Sequence, residues 1–290
     1  MSNAHKINIS SNSYESFLCY AIRDINRIDP SLLLRRYKTL NDEILYAHAK
    51  KNGVAEIVGH ALTHHFLVDF KLPEHWSLSF AHTGEIIGQY MEELDRIADH
   101  FAVQSIPLIA LKNSGITRGL YPYYGASPMG DLDLLVVPNE FYQAHQILLK
   151  MGYTLKFRNK YESNSIKAAF KSGGSEYKIS LKSGLNLWVE LQWRPVAGRW
   201  IQPKQEPRAT ELFVASSTIV GTHTKLLSPV DNLLQVCLHT AKHSFVRSPG
   251  FRLHTDVDRI IGRTNIDWKF FLNKVNSLNV KTPVYFSLAL

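Results

Sequence analysis

The stretch DLDLLVV, residues Asp131–Val137, decides the fold of this chain. An apolar run of this length with a polar start predicts a β-strand. Side chains two positions apart in a strand point to the same face, so Asp131 and Asp133 are expected to project together, away from Leu132. Two carboxylates held side by side repel each other and are stabilised by a divalent cation. Such oxygen ligands suit Mg²⁺ or Mn²⁺.

A third acidic residue stands in a later segment of similar character. LNLWVELQW, residues Leu185–Trp193, alternates by twos and predicts another strand, which carries Glu190. If the two strands are neighbours, Glu190 completes a site of three carboxylates. Simpler interpretations stay open, because an Asp-x-Asp at a strand start is more often an exposed turn and a lone Glu more often faces solvent.

Helical periodicity dominates both ends of the chain. Apolar residues recur three and four apart over residues 14–70, with a break at Asn52-Gly53, and again in a long helix over about residues 83–103. Helices return from Ser228-Pro229 onward, an N-cap followed by proline at the first helical position.

The middle of the chain mixes strands with one capped helix. IPLIAL, residues Ile106–Leu111, has strand length, and Asn139–Gly152 predicts a helix with Asn139 as N-cap and Gly152 just beyond its end. This order of elements predicts an α+β fold, a small mixed β-sheet core flanked by N- and C-terminal helical segments. The expected regions are an N-terminal helical region, a core and a C-terminal helical region, over residues 1–101, 102–210 and 211–290.

Composition narrows the class of protein. The 290 residues are 45% hydrophobic and 20% charged, which is typical of a globular chain. Two cysteines exclude a disulfide framework or a four-cysteine zinc site. No apolar run approaches the roughly 20 residues that span a bilayer, and the polar first residues lack a secretory signal. We therefore expect a cytoplasmic protein with no membrane partner.

Positive charge concentrates in the middle of the chain. Residues 101–210 carry 14 basic and 7 acidic side chains, which makes this segment a candidate for contact with a phosphate or a nucleic acid. Solvated lysines on the surface explain the same excess. Aromatic residues do not interleave with the lysines as they do in a base-stacking platform, so nucleic acid stays an open alternative.

His239 and His243 are a second candidate for metal binding. Their spacing of four places both on one side of a helix, which is compatible with zinc. The residues between them are Thr240, Ala241 and Lys242, so the glutamate of the H-E-x-x-H metalloprotease motif is missing. We expect these histidines to pack or to line a cleft.

Several segments in order along the chain resemble one known family. They are IPLIALKNSG, YPYYGASPMGDLDLLV, LLKMGY, LWVELQW and LSPVDNLLQVCLHTAKH. Together they resemble the uncharacterised nucleotidyltransferase family of the polymerase-beta-type superfamily, over most of the chain. The resemblance implies a nucleotidyltransferase core over residues 102–210 and a reaction with a nucleoside triphosphate and Mg²⁺ or Mn²⁺.

The resemblance also implies roles for individual residues. Asp131 and Asp133 hold the metal ions, and Glu190 holds the second metal and helps to deprotonate the attacking hydroxyl. The loop that meets the phosphates is expected at Lys112, Asn113 and Ser114. The hydroxyl attacks the α-phosphorus in line and pyrophosphate leaves, with two metals clamping the two oxygens.

Three positions depart from the family pattern. Asn113 stands where the family usually has glycine after the lysine, Ser127 where it often has arginine, and Gln192 where a histidine commonly follows the third carboxylate. Two alternatives therefore stay open beside the enzyme: a catalytically degenerate nucleotide-binding or regulatory protein on the same fold, and a nucleic-acid-binding accessory protein. The nucleotide base and the acceptor, a small molecule, a protein or an RNA, are left open.

Overall fold

The computed structural model describes residues 9–65, 71–158, 165–196, 201–246 and 250–289. No helix in these ranges is both long and apolar enough to cross a membrane. The helices are α1 (Ile9–Ala21), α2 (Pro30–Tyr37), α3 (Asp42–Lys51), α4 (Ala55–His65), α5 (Glu74–Val103), α6 (Lys112–Gly119), α7 (Phe141–Lys150), α8 (Ile166–Ser172), α9 (Ala209–Ala215), α10 (Pro229–Val246), α11 (Arg252–Arg263), α12 (Trp268–Ser277) and α13 (Lys281–Leu288). The strands are β1 (Leu108–Leu111), β2 (Asp131–Leu135), β3 (Thr154–Leu155), β4 (Gly174–Ser180), β5 (Asn186–Gln192), β6 (Ser217–Thr218) and β7 (Thr224–Leu226).

The strands form one mixed sheet in the order β3-β4-β5-β2-β1-β7-β6. β2 lies at its centre, parallel to β5 and antiparallel to β1. β1 in turn pairs in parallel with β7. Helices flank this sheet on the N- and C-terminal sides of the chain, which confirms the predicted α+β fold.

One face of the sheet builds the central core. Leu132 and Leu134 on β2 and Val189 and Leu191 on β5 are fully buried. They pack in one cluster with α5 and α7. The alternation predicted from the sequence is thus present, and it leaves the intervening polar residues of both strands on the opposite face.

The two helical ends of the chain contact each other through charged side chains. Arg27 Nη1 lies 2.7 Å from Asp258 Oδ1, and the Asp24 backbone N–H donates to Asp258 Oδ2 at 2.7 Å. Arg263 pairs with the buried carboxylate of Asp24. These contacts join the segment before α2 to α11.

Two predicted helix starts are wrong. The long helix begins at Glu74 and not near residue 83, because Pro73 serves as its N-cap and the fully buried Trp76 anchors its first turn. Asn139 is not an N-cap, because Pro138 opens a short 3₁₀ turn and α7 starts only after it, with Glu140 at the cap. The predicted end is confirmed, since Gly152 has a φ of +94°.

Other expectations hold, and some elements were not foreseen. The helices over residues 14–65 are present, with Gly53 at the expected break, and α10 begins at Pro229 with Ser228 before it. Residues 66–70 of the predicted helical stretch lie outside the described residues. The sequence did not predict α8, α9, β6 or β7.

Candidate active site

Asp131, Asp133 and Glu190 come together on one face of the central sheet. Asp133 and Glu190 are Cα partners in the parallel pairing of β2 with β5, so the predicted strands are neighbours. Asp131 lies two positions before Asp133 and shares its face. Glu176 on β4, the Cα partner of Glu190, adds a fourth carboxylate. These four residues are called the acid face below.

Lys112, at the start of α6, carries a cation into the acid face. α6 follows β1 directly, and Lys112 has a φ of +51°, in the left-handed region. A non-glycine residue there costs of order 1–3 kcal/mol and persists only where its surroundings require it. Lys112 Nζ lies 2.5 Å from Asp133 Oδ1 and 3.7 Å from Glu190 Oε2. The ammonium group therefore stands between the two paired carboxylates.

Asn113 and Ser114 lie in the first turn of α6 and not in a loop, and their side chains bond to groups other than the carboxylates of the acid face. The Ser114 hydroxyl accepts a hydrogen bond from the Asp133 backbone N–H at 2.9 Å. The Asn113 amide, oriented so that both of its ends are satisfied, donates to the two carboxylate oxygens of Asp256 at 2.7 and 3.1 Å. These side chains hold the start of α6 against β2 and α11. An anion can therefore be bound here by the backbone N–H groups of the first turn of α6.

Arg158 is a functional candidate that the sequence analysis missed. Its guanidinium lies 2.6 Å from Asp131 Oδ2 and 3.8 Å from Glu190 Oε1, and it stacks over the ring of Trp188 at 5.1 Å. It follows the short strand β3, and no spacing in the sequence connects it with β2 or β5. Lys112 and Arg158 thus place two positive charges next to the four carboxylates of the acid face.

The electrostatics of the acid face follow from its burial. Burial, then repulsion from Glu190 and Asp131, raises the pKa of Asp133 well above its usual range, while Lys112 opposes that rise. Burial also acts to raise the pKa of Glu190, but Lys112, a hydrogen bond with Asp133, and Arg158 outweigh it and lower that pKa to about 2. Burial disfavours the charged form of Lys112, yet the three carboxylates raise its pKa. Asp133 is therefore the group that gains most from added positive charge.

Helix α10 lies next to the acid face. Lys242 lies close enough to Glu190 to lower its pKa. Burial, followed by the charges of Lys112, His243 and Lys242, holds the pKa of His239 well below its usual range, so His239 is neutral at pH 7. The rings of His239 and His243 are 4.4 Å apart. These histidines therefore pack against each other on α10, near enough to Lys112 for its charge to act on His239.

Ser127 lies apart from the carboxylates. Its side chain is buried and donates a hydrogen bond to the Tyr123 carbonyl at 3.2 Å. The neighbouring carbonyls are held by arginines of α11, since Arg259 donates to Ala126 O at 2.6 Å and Arg252 to Pro128 O at 2.8 Å. Two arginines from a distant helix thus anchor the segment that leads into β2, a role that no spacing in the sequence indicates.

The fit of this site to a divalent cation depends on its donor atoms. Among the described residues, no group of three or more His, Cys, Asp or Glu side chains is arranged to hold a metal ion as it stands. Two cationic side chains, Lys112 and Arg158, lie among the carboxylates. The donor atoms nevertheless fit a divalent cation, since carboxylate oxygens share one face and the buried Oε1 of Gln192 has no hydrogen-bond partner within the described ranges.

Comparison with known proteins adds one finding. The family model described as uncharacterised nucleotidyltransferase matches residues 38–290, which includes the acid face, α6 and α10. No curated protein matches the chain.

Proposed function

The chain belongs to the uncharacterised nucleotidyltransferase family, and from this premise we propose that it is a metal-dependent enzyme. It moves a nucleoside monophosphate from a nucleoside triphosphate to a hydroxyl acceptor and releases pyrophosphate. One observation carries the proposal. The register of β2 and β5 sets Asp133 opposite Glu190, with the Lys112 ammonium group between them and Asp131 on the same face.

The acid face supplies the cation ligands in this proposal. Asp131, Asp133 and Glu190 hold Mg²⁺ or Mn²⁺, whose chemistry is to neutralise the phosphate oxygens and the developing charge on the attacking and leaving oxygens. Carboxylates crowded on one face repel each other, and Lys112 and Arg158 offset that repulsion. In this proposal, Mg²⁺ or Mn²⁺ takes over the neutralisation of the carboxylates from the side chains of Lys112 and Arg158.

The remaining groups act on the nucleotide and on the acceptor. The first turn of α6 and the cations Lys112, Arg158 and Lys242 favour the triphosphate near the acid face. The acceptor oxygen forms a bond to the α-phosphorus, the bond to the bridging oxygen of the β-phosphate breaks, and pyrophosphate carries away the electron pair. Glu190, ionised at neutral pH, receives the acceptor's proton.

The test is transfer of label from each nucleotide. The full chain is incubated with each α-labelled nucleoside triphosphate, Mg²⁺ or Mn²⁺, and fractions of metabolites, protein or RNA, and pyrophosphate release is measured. We expect release with one class of acceptor and at least a hundredfold loss in Asp133→Asn. Glu92→Gln/Asp99→Asn, which neutralises two exposed acids of α5, is the control and retains activity. Equal release by Asp133→Asn and the wild type contradicts the proposal.

A second candidate is nucleotide binding without transfer. The seating of Lys112 and Arg158 among the carboxylates favours it, because both cations must yield before a metal binds. The same assay separates the two functions, since this candidate predicts that a nucleotide binds and that no acceptor fraction produces pyrophosphate.

A further inference from the structure

Gln192 is the buried amide of the acid face. It lies on β5 two positions after Glu190 and is only 5% exposed. Its Nε2 donates to Glu190 Oε2 at 2.8 Å and is 3.3 Å from Asp133 Oδ1. One amide end is therefore in contact with both paired carboxylates.

The other end of this amide has no partner. Gln192 Oε1 is buried and accepts no hydrogen bond from any described residue. Leaving a buried acceptor unsatisfied costs about 1–3 kcal/mol, which offsets much of what the hydrogen bond from Nε2 to Glu190 contributes.

The neighbouring strand is shaped to hold the glutamine. Gly174 on β4 is the Cα partner of Gln192. A Cβ at position 174 comes within 3.1 Å of Gln192 Cγ and 3.3 Å of its Cα, tighter than ordinary side-chain contacts. The glycine thus leaves room for the glutamine stem, which fixes the amide beside Glu190 and Asp133.

We infer that Gln192 is an oxygen ligand of the divalent cation, through Oε1. The inference rests on the proposed function and deepens it. Nε2 faces the carboxylates because an N–H donates to them, whereas an oxygen there is repelled. A cation among the carboxylates reverses that preference, and a turn of the amide about its last side-chain bond brings Oε1 into the place of Nε2.

The spacing of the atoms agrees with this assignment. Adjacent ligands of an octahedral Mg²⁺ at about 2.1 Å stand about 3 Å apart. The amide end of Gln192 is 2.8 Å from one carboxylate oxygen and 3.3 Å from the other. The amide oxygen thus completes the donor set of Asp133 and Glu190.

Mn²⁺ binding to the full chain, followed by electron paramagnetic resonance without nucleotide, tests the inference. We expect Gln192→Met, which keeps the size and loses the oxygen, to bind Mn²⁺ at least tenfold more weakly than the wild type. Gln192→Glu keeps or raises the affinity. The matched control is Gln235→Met, which removes another buried glutamine with an unpartnered Oε1, one that donates to Pro195 O. This control binds Mn²⁺ as the wild type does.

A spectroscopic variant keeps the inference testable if Gln192→Met does not fold. Gln192→His restores the family residue, and pulsed resonance of its Mn²⁺ complex then shows a directly bound imidazole nitrogen that the wild type lacks. Wild-type affinity in Gln192→Met, or no nitrogen coupling in Gln192→His, overturns the role of Gln192 and leaves the proposed function standing. Absence of Mn²⁺ binding in the wild type, in Gln192→Glu and in Gln235→Met contradicts the proposed function itself.

Discussion

The two faces of β2 and β5 belong to the same strands, but one face is apolar and the other carries carboxylates. On one face, Leu132, Leu134, Val189 and Leu191 are fully buried against helices. On the other, the acid face gathers carboxylates next to Lys112, which has a strained backbone, and Gln192, which has an unsatisfied oxygen. The first face stabilises the sheet, and the second keeps charge close together at a cost to stability.

This difference indicates that one face of the sheet provides stability and the other face provides the functional groups. A sheet that is stabilised through one face tolerates repulsion on the other, because alternation in a strand separates the two sets of side chains. If the comparison is right, substitutions on the apolar face change the free energy of unfolding, and those on the acid face change its response to pH and to cations.

The largest effect is expected from Leu134→Ala. The side chain is fully buried at the centre of the sheet, so its truncation leaves a cavity and lowers the free energy of unfolding by about 2–5 kcal/mol. Urea denaturation measures the loss. Leu149→Ala, which shortens a leucine 39% exposed on α7, serves as the control and costs less than about 1 kcal/mol. Similar losses of unfolding free energy in both variants would contradict the view that the apolar face stabilises the sheet.

Lys112→Met is expected to destabilise the protein in a pH-dependent way. Without the ammonium group, the lowered folded-state pKa of Glu190 rises, and the already raised pKa of Asp133 rises further. A carboxyl pKa raised in the folded state adds stability at low pH that is lost as pH rises through the folded pKa. We expect a loss of about 3 kcal/mol at pH 8 and a smaller one at pH 5, by urea denaturation.

The control for this pH dependence is Lys150→Met. Lys150 is exposed in the last turn of α7, where the loss of a cation leaves no carboxylate cluster unbalanced. Its unfolding curves at pH 5 and pH 8 should match those of the wild type. A Lys112→Met protein whose deficit is the same at both pH values contradicts the electrostatic account of the acid face.

Asp256→Asn tests the support behind α6. Burial raises the pKa of Asp256 to about 6, against the pull of Arg259 and Arg252. A raised carboxyl pKa adds stability below the unfolded value, and that stability is lost as pH rises toward 6. Asparagine does not titrate, so the fall in stability between pH 4 and 6 should shrink by about 2 kcal/mol relative to the wild type. An unchanged pH profile from urea denaturation argues against this assignment.

Arg158→Met is expected to have the smallest effect. Arg158 is 39% exposed, so its pairs with the acid face contribute little to stability, about 0–1 kcal/mol. Because it competes with a cation for Asp131 and Glu190, its removal should tighten Mn²⁺ binding a few-fold. Arg208→Met, which removes an exposed arginine paired with Glu211, is the control and leaves the affinity unchanged. Weaker binding in Arg158→Met opposes the view of Arg158 as a competitor.

The sequence predicts the parts of the site that obey a local period. Alternation by two placed Asp131 and Asp133 on one face of a strand, and Glu190 was expected to join them if its strand were a neighbour. Pairing β5 with β2 turned these separate signals into one site. The fold class followed in the same way from the order of helical and strand segments.

What the sequence missed depends on contacts between distant segments. Arg158 reaches the acid face from the end of β3, and Arg259 anchors the Ala126 carbonyl from α11, so no spacing encodes either role. β7 is short and has no clear alternation, and it forms because the edge of β1 pairs with it in parallel. The left-handed backbone of Lys112 was equally hidden, since lysine carries no preference for that conformation.

The most direct test of the central claim is calorimetric titration of each nucleoside triphosphate, with and without Mg²⁺, on the wild type and on Asp131→Asn/Asp133→Asn. Both proteins are first shown to be folded. The account predicts Mg²⁺-dependent binding of at least one nucleotide to the wild type and its loss in the double variant. Wild-type binding that persists in the double variant, or a folded wild type that binds no nucleotide with Mg²⁺, contradicts it.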